Sequence, residues 1–304
     1  RSTQGYSSAA SDVYKRQPRY MKHFFIIVNA QKDSELIFTN QIIDYIRRKG
    51  GTCDYFASFE EEKAEAVEKE IPTETEAVLV IGGDGTLIRA ARNLVKKNIP
   101  LLGINLGKLG YLCEVEENTI FPAIDELMAD RYTIEQRMLL DGYTVQSGGE
   151  KIQRVALNDV VIHRTGALQI VNLNAYVNGE YLYNFKADGI IVATPTGSTG
   201  YSMSAGGPIV DPKANLLLLT PINAHTLNSK SIVIGPEDEI TIEVGMRRSQ
   251  RDEQVEVSFD GDSGVELKVG DKIVVHKAEE SVGIIRLSKI SFLEILRKKM
   301  QNYT

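Results

Sequence analysis

The sequence predicts a two-part chain, an α/β half built on a parallel sheet followed by a β-rich half. Three observations carry that prediction. From Met21 to about residue 137, short apolar runs alternate with single amphipathic helical stretches, the order that produces a parallel sheet. From residue 138 to about 287, short alternating runs succeed one another with turn signals between them. The chain has 304 residues, and single hydrophobic cores stop growing near ~250–300 residues, so two cores are expected.

Residues 1–20 contain no apolar run, helical period or strand alternation, and read as a disordered extension or a sequence-assembly artefact. A strand is predicted over 23–28 and a helix over 34–48, with Leu36, Ile37, Ile42, Ile43 and Ile46 on one side. A short strand follows at 52–57. The acidic run 60–70 is interleaved with lysines and alanines, which fits a solvated helix face. Residues 77–81 are continuously apolar and read as a strand buried on both faces. A helix is predicted from Leu87 to Val95, a buried strand over 99–105 and a closing helix over 119–129.

In the second half, strands are predicted at 141–146, 151–157, 160–163, 171–177, 181–186, 189–194, 231–234, 239–244, 255–259, 265–269, 272–276 and 284–287. Residues 147–150 and Asn178-Gly179 supply hairpin turns. A helix over 291–301 carries Phe292, Leu293, Ile295, Leu296 and Met300, and the tail 288–304 is expected to dock back on the first domain.

Composition narrows the function. A formal net charge of −6 gives no general attraction to nucleic acid, although a small basic phosphate pocket is compatible with it. No apolar run reaches the ~18 residues of a membrane span, so a soluble chain is expected. Cys53 and Cys113 lack metal-ligand spacing and are expected as free buried thiols in a reducing cytosol. His23, His163, His225 and His276 are scattered without the spacing of a zinc site. There is no Gly-x-x-x-x-Gly-Lys-Ser/Thr loop, no Gly-x-Gly-x-x-Gly in the first βα turn and no Gly-x-Ser-x-Gly elbow.

Two strand ends stand out. Gly82-Gly83-Asp84-Gly85-Thr86 closes the apolar run 77–81 and precedes a helix. Its glycines are expected to take positive φ and to admit a ligand closely, at a helix N-terminus that favours anions. An Asp before Gly is also a routine turn and helix cap, so the motif alone leaves both readings open. Its companion is Asp188-Gly189 with the loop at 194–202. There Thr194, Thr196, Ser198 and Thr199 offer hydroxyls suited to phosphates or sugars.

Together the segments resemble the NAD kinase family, whose members phosphorylate the adenosine-ribose 2′-hydroxyl of NAD. The likeness runs from about Met21 to the C-terminus. It rests on 82–86, on Gly103-Ile104-Asn105-Leu106-Gly107 with Gly110-Tyr111-Leu112, on Asn158-Asp159, on Asp188-Gly189 with 194–202, and on His225-Thr226-Leu227. The Gly-Gly-Asp-Gly motif alone is shared with diacylglycerol kinase, sphingosine kinase and phosphofructokinase relatives; the five segments in this order are specific.

The resemblance implies a Rossmann-like α/β domain over 21–137 and a β-rich, β-sandwich-like dinucleotide-binding domain over 138–287, in a homo-oligomer, dimer or tetramer. It implies that Asp84 orients and deprotonates the attacking hydroxyl, and that Gly82, Gly83, Gly85 and Thr86 shape the ATP-phosphate loop. It implies NAD contacts from Asn158, Asp159, Lys186, Asp188, Thr199, Gly200, Tyr201 and Ser202, with Asn105 and His225 as further candidates. The charge of Lys186 is expected to lower tolerance for NADH relative to NAD. Mg²⁺ is implied as the partner of ATP, with no dedicated ligand set, and inorganic polyphosphate is the alternative donor. Two departures from the family pattern are Gly200, where alanine is usual, and Lys230-Ser231 in place of Arg-Pro. A lipid or other small-molecule kinase, and a non-catalytic dinucleotide sensor, are the competing readings.

Overall fold

The computed structural model describes residues 20–58, 64–107, 110–166, 170–225, 230–246, 255–288 and 290–301. The expectations for residues 1–19, 60–63, Thr226-Leu227 and the last three residues lie outside them.

The first half follows the predicted alternation: β1 (His23–Asn29), α1 (Ile37–Arg48), β2 (Thr52–Ser58), α2 (Ala64–Glu70), β3 (Ala77–Gly82), α3 (Asp84–Asn93), β4 (Leu101–Asn105), the two-residue β5 (Val115–Glu116) and α4 (Ile120–Met128). Strands β4, β3, β1 and β2 lie side by side in that order and pair in parallel. Side chains alternate across each strand, so Phe24 and Ile26 face α1 and α4, while Phe25 and Ile27 face α2 and α3. With both faces covered, every residue of β3 is buried, which is why it reads as an unbroken apolar run. The strand order reverses between β1 and β3, and a crevice opens beyond the carboxyl ends of such strands. Asn29, Gly82 and Asn105 sit there.

The second half comprises β6 (Thr133–Val145), β7 (Gln153–Ala156), β8 (Asp159–Arg164), β9 (Val171–Val177), β10 (Glu180–Ala187), β11 (Gly189–Ala193), the one-turn α5 (Tyr201–Ser204), β12 (Leu217–Ile222), β13 (Ile232–Ile234), β14 (Ile240–Val244), β15 (Val255–Phe259), β16 (Val265–Leu267), β17 (Lys272–Arg286) and α6 (Phe292–Gln301). Strands β13, β12, β11, β8, β15 and β16 form an antiparallel sheet. Its apolar face, with Val160, Ile162, Ile190, Val192 and Phe259, packs on Leu173, Ile240, Ile242 and Ile273 of the other sheet, which gives the β-sandwich-like layering. The β9–β10 hairpin turns through Asn178 and Gly179, both at positive φ, as a two-residue loop of this kind requires.

Several elements differ from expectation, among them β6, which begins at Thr133 and not at 141, and β5, which is not predicted. The predicted strands at 272–276 and 284–287 are one strand, β17, whose pairing with β6 shifts register between Lys277 and Ser281. β17 also pairs with β4 and β14, so one eleven-stranded sheet runs through both halves. β12 is a wholly buried apolar strand that periodicity does not separate from a helix. Helix α3 begins at Asp84 and not at Leu87, and α1 begins at Ile37 because the preceding Leu36 is left-handed. Helix α6 sits beside the first half, with Lys299 Nζ 5.3 Å from the ring centre of Tyr111, yet none of its residues is buried.

Candidate functional site

The aspartate of the Gly-Gly-Asp-Gly-Thr segment is the first residue of α3, directly after β3. Its carboxylate is fixed by three backbone donors: Tyr111 N–H to Oδ2 at 2.6 Å, and Leu112 and Cys113 N–H to Oδ1 at 3.2 and 3.0 Å. None of Gly82, Gly83 and Gly85 takes the positive φ expected of them; Gly83 is fully extended. The smallness of Gly82 and Gly83 serves close approach instead. A Cβ on Gly82 would lie 2.4 Å from the Thr86 hydroxyl, whereas one on Gly85 would meet nothing within 4 Å. Thr86 thus packs on the loop, and Asn29 Nδ2 reaches its hydroxyl at 3.5 Å. Asn105 is buried, and its side-chain oxygen accepts the N–H of Gly107.

Lys32, which no sequence motif marks, donates from Nζ to the Gly82 carbonyl at 2.8 Å. The only local signal for it is its place just past the end of β1, at the reversal point of the parallel strands.

A cleft of about 540 Å³ opens in the second half, lined by Asn158, Asp159, Arg164, Asp188, Tyr201 and Asp260 among others. Four predicted residues, Asn158, Asp159, Asp188 and Tyr201, therefore converge. The Thr194 hydroxyl donates to the Leu157 carbonyl, the Thr194 N–H binds the Asn158 carbonyl, and Gly197 packs so closely on Asn158 that a Cβ would lie 2.1 Å from its oxygen. The Asn158-Asp159 turn and the 194–202 loop are thereby one assembly. Burial, and then the neighbouring Asp260, push the Asp159 carboxyl up to about 7. Asp188 goes the other way, because Arg164 Nε at 2.7 Å and the Asn223 amide at 3.0 Å hold its carboxylate below the ordinary range. Neither Arg164 nor Asn223 stands out in the sequence; β8 and β12 bring them in by pairing on either side of β11.

Other predicted residues lie elsewhere. Thr199 and Thr196 line a second cavity of about 690 Å³, together with Tyr111 and Leu112, whose backbone grips Asp84, and with Arg137 and Lys213. Ser202 is fully buried and shares a hydrogen bond with Thr220, a structural contact and not one that faces the cleft. Lys186 is exposed on β10 and lines neither cavity; its carbonyl accepts the N–H of His225. Gly200 separates the two cavities' residues, Thr199 and Tyr201.

Comparison with known proteins decides the family. The ATP-NAD kinase N-terminal domain matches residues 29–132, and the ATP-NAD kinase C-terminal domain matches residues 157–287. An NAD kinase of Agathobacter rectalis is 58% identical over 290 residues, which span 93% of this chain and 100% of that protein. The chain belongs to the NAD kinase family. An NAD kinase of Lachnospira eligens is 43% identical, across 92% of this chain and all of its own length. In fold, the chain is similar to yeast NADH kinase complexed with NADH (TM-score 0.77, 22% identity, 94% of this chain and 88% of that one). It is likewise similar to an NAD kinase from Archaeoglobus fulgidus in complex with ATP (TM-score 0.73, 22% identity, 91% and 98%).

As an NAD kinase the chain is an enzyme, a phosphotransferase to an alcohol acceptor, which sets aside the lipid-kinase and silent-sensor readings. The two departures from the family pattern have visible settings. A Cβ at Gly200 would meet the Gly197 carbonyl at 3.3 Å, so an alanine nearly fits; Ser231 accepts a hydrogen bond from Thr220, and Lys230 is exposed. Among the described residues, no three His, Cys, Asp or Glu side chains converge as metal ligands, and no helix is long and apolar enough to cross a membrane. Cys53 and Cys113 are buried free thiols, both pushed up by burial, Cys53 to about 12.

Proposed function

We propose that the chain transfers the γ-phosphoryl group of ATP to the adenosine-ribose 2′-hydroxyl of NAD, with Asp84 as general base. A bond forms between the ribose O2′ and Pγ, and the bond from Pγ to the β–γ bridging oxygen breaks. The hydroxyl proton passes to Asp84, and ADP and NADP leave. The observation that carries this reading is the fixed Asp84 carboxylate. Each carboxylate oxygen has two lone pairs. Oδ1 accepts two backbone N–H groups, from Leu112 and Cys113, and Oδ2 only one, from Tyr111, which makes Oδ2 the oxygen better placed to take a substrate proton. A base held by backbone is already oriented, which phosphoryl transfer needs more than it needs covalent chemistry.

Among the described residues no three His, Cys, Asp or Glu side chains converge as a resident magnesium site. Mg²⁺ is assigned to the ATP phosphates, as part of the substrate. Asn158, Asp159, Asp188 and Tyr201 would hold the dinucleotide, and Gly82–Thr86 the ATP phosphates. Assembly into a homo-oligomer is supported by β10, an edge strand that exposes Tyr181, Leu182 and Tyr183. A cytoplasmic setting is supported by two thiols that stay unpaired.

The test is to incubate the chain with NAD, ATP and magnesium, reading NADP with an NADP-specific dehydrogenase. The parent should turn over, and Asp84→Asn should lose at least ~10²-fold, the lower end for removing a positioned base. Parental activity in the variant would overturn the role of Asp84.

A further inference from the structure

Asp260 belongs to the turn between β15 and β16, where Asp260 and Gly261 both have positive φ. This turn aims its carboxylate at the segment that enters β8. Asp260 accepts the N–H groups of Leu157 at 2.7 Å, Asn158 at 2.7 Å and Asp159 at 3.0 Å, and its own N–H binds the Asp159 carbonyl at 2.9 Å. It therefore fixes the backbone of the turn that carries Asn158 and Asp159 into the cleft.

The same turn is gripped from the other half of the molecule. Arg92, in the last turn of α3, donates from Nη1 to the Phe259 carbonyl at 3.0 Å and from Nη2 to Asp262, while its Nε lies 4.0 Å from Asp260 Oδ2. Asp84 is the first residue of that helix. At ~1.5 Å of rise per residue, α3 is a strut of roughly 12 Å between Asp84 and Arg92. One rigid element thus holds the aspartate at one end and the cleft's backbone at the other.

We propose that Arg92 and Asp260 form a positioning link that sets the Asn158-Asp159 turn, and hence the bound dinucleotide, in register with Asp84. The proposal rests on the reading of Asp84 given above. Neither residue needs to touch substrate. Arg92 acts through the turn at 259–262, and Asp260 through the three N–H groups it accepts. Loss of Arg92 leaves those three hydrogen bonds in place, so NAD still binds, but its hydroxyl is no longer held at the aspartate. Loss of Asp260 damages binding as well.

The test uses the full chain with Arg92→Met, Arg92→Lys, Asp260→Asn and Asp84→Asn, each normalised by its stoichiometry of NAD binding in calorimetry. For Arg92→Met, kcat should fall at least about fivefold while the Kd for NAD stays within about threefold, since misplacement of reacting groups by about 1 Å costs up to 10²-fold. Arg92→Lys should recover part of kcat. Asp260→Asn should raise the KM for NAD about tenfold, with the KM for ATP within twofold, the size of a lost hydrogen-bonding group of about 1.4 kcal/mol. In the Asp84→Asn background, adding Arg92→Met should cost little further, as expected for residues acting as a unit. A smaller fall in kcat for Arg92→Met, or a fall matched by weaker NAD binding, overturns the link. If Arg92→Met does not fold, Asp262→Asn decides: its residue is exposed, and kcat should drop about threefold, whereas an unchanged kcat overturns the proposal. Parental turnover by Asp84→Asn would instead overturn the base assignment, and Arg92→Met would still decide whether the link matters.

Discussion

Gly110 provides the space that the carboxylate of Asp84 occupies: a Cβ built on Gly110 would lie 1.9 Å from Asp84 Oδ1 and 2.3 Å from Oδ2. The glycine is needed for that approach and not for its backbone angle, since it is absent from the positive-φ positions. Gly110→Ala must therefore eject the carboxylate from the three N–H groups of residues 111–113. We predict a loss of about 10²-fold in kcat for NADP formation, the effect of moving a reacting group by about 1 Å. Overpacking should also lower stability by roughly 1–3 kcal/mol. A steady-state assay beside a urea titration checks both, and a fully active Gly110→Ala would show that the aspartate is not used where it lies.

Gly200→Ala makes the opposite kind of change. Gly200 has a negative φ of −96, and its added Cβ comes closest to the Gly197 carbonyl at 3.3 Å, with Asn158 Nδ2 at 3.6 Å and Asp159 Oδ2 at 3.8 Å in ordinary contact. The carbonyl must yield a few tenths of an ångström. Removing glycine's excess freedom in the unfolded chain is worth about 0.4–1 kcal/mol. The variant should keep the parent's KM for NAD and melt slightly higher. A lower melting temperature would mean that the Gly197 carbonyl, pinned in the loop that packs on Asn158, cannot yield.

The two thiols offer a test of the core. Cys53 and Cys113 are buried at 1% and 2% exposure, and burial raises both pKa values, so little thiolate exists at neutral pH. In the native chain neither should react with an aromatic disulfide reagent within minutes, while both should react in urea. Rapid native labelling of either would place it at the surface.

Local patterns carried much of this molecule. The runs at 77–81 and 189–193 are legible because both faces of their strands are covered, and the loop chemistry after each is written in adjacent residues. Asp84 and Asp188 are therefore singled out as candidates by such patterns, whereas Asn158 and Asp159 are singled out by the family resemblance. What local patterns miss is pairing between distant segments. Arg164 and Asn223 reach Asp188 only because β8 and β12 flank β11, and Asp260 reaches Asn158 across about a hundred residues of chain. The exposed polar residues near Glu279 interrupt the alternation of β17, so one strand reads as two. The apolar pattern puts the start of α3 one turn late because glycine at 85 is a weak helix former that the following apolar face overrides.

Asp159 makes stability depend on pH in a direction opposite to that of a salt-bridged carboxylate. Its folded pKa is raised from 3.8 to about 7, by burial first and then by Asp260. Between those two values the folded chain holds a proton that the unfolded chain releases. The difference in bound protons, unfolded minus folded, is then negative, so stability falls as pH rises through this window. The stabilisation is complete below the unfolded pKa and lost once pH passes the folded one. A shift of about three units corresponds to at most ~4 kcal/mol. Asp159→Asn has no charge to bury at any pH. Urea titrations of parent and variant should nearly coincide at pH 4 and diverge upward to pH 8, where the variant is the more stable by a few kcal/mol. Curves that stay parallel across that range would mean that Asp159 is ionised in the folded chain throughout, and that the cleft presents a carboxylate, not a carboxylic acid, to the dinucleotide at neutral pH.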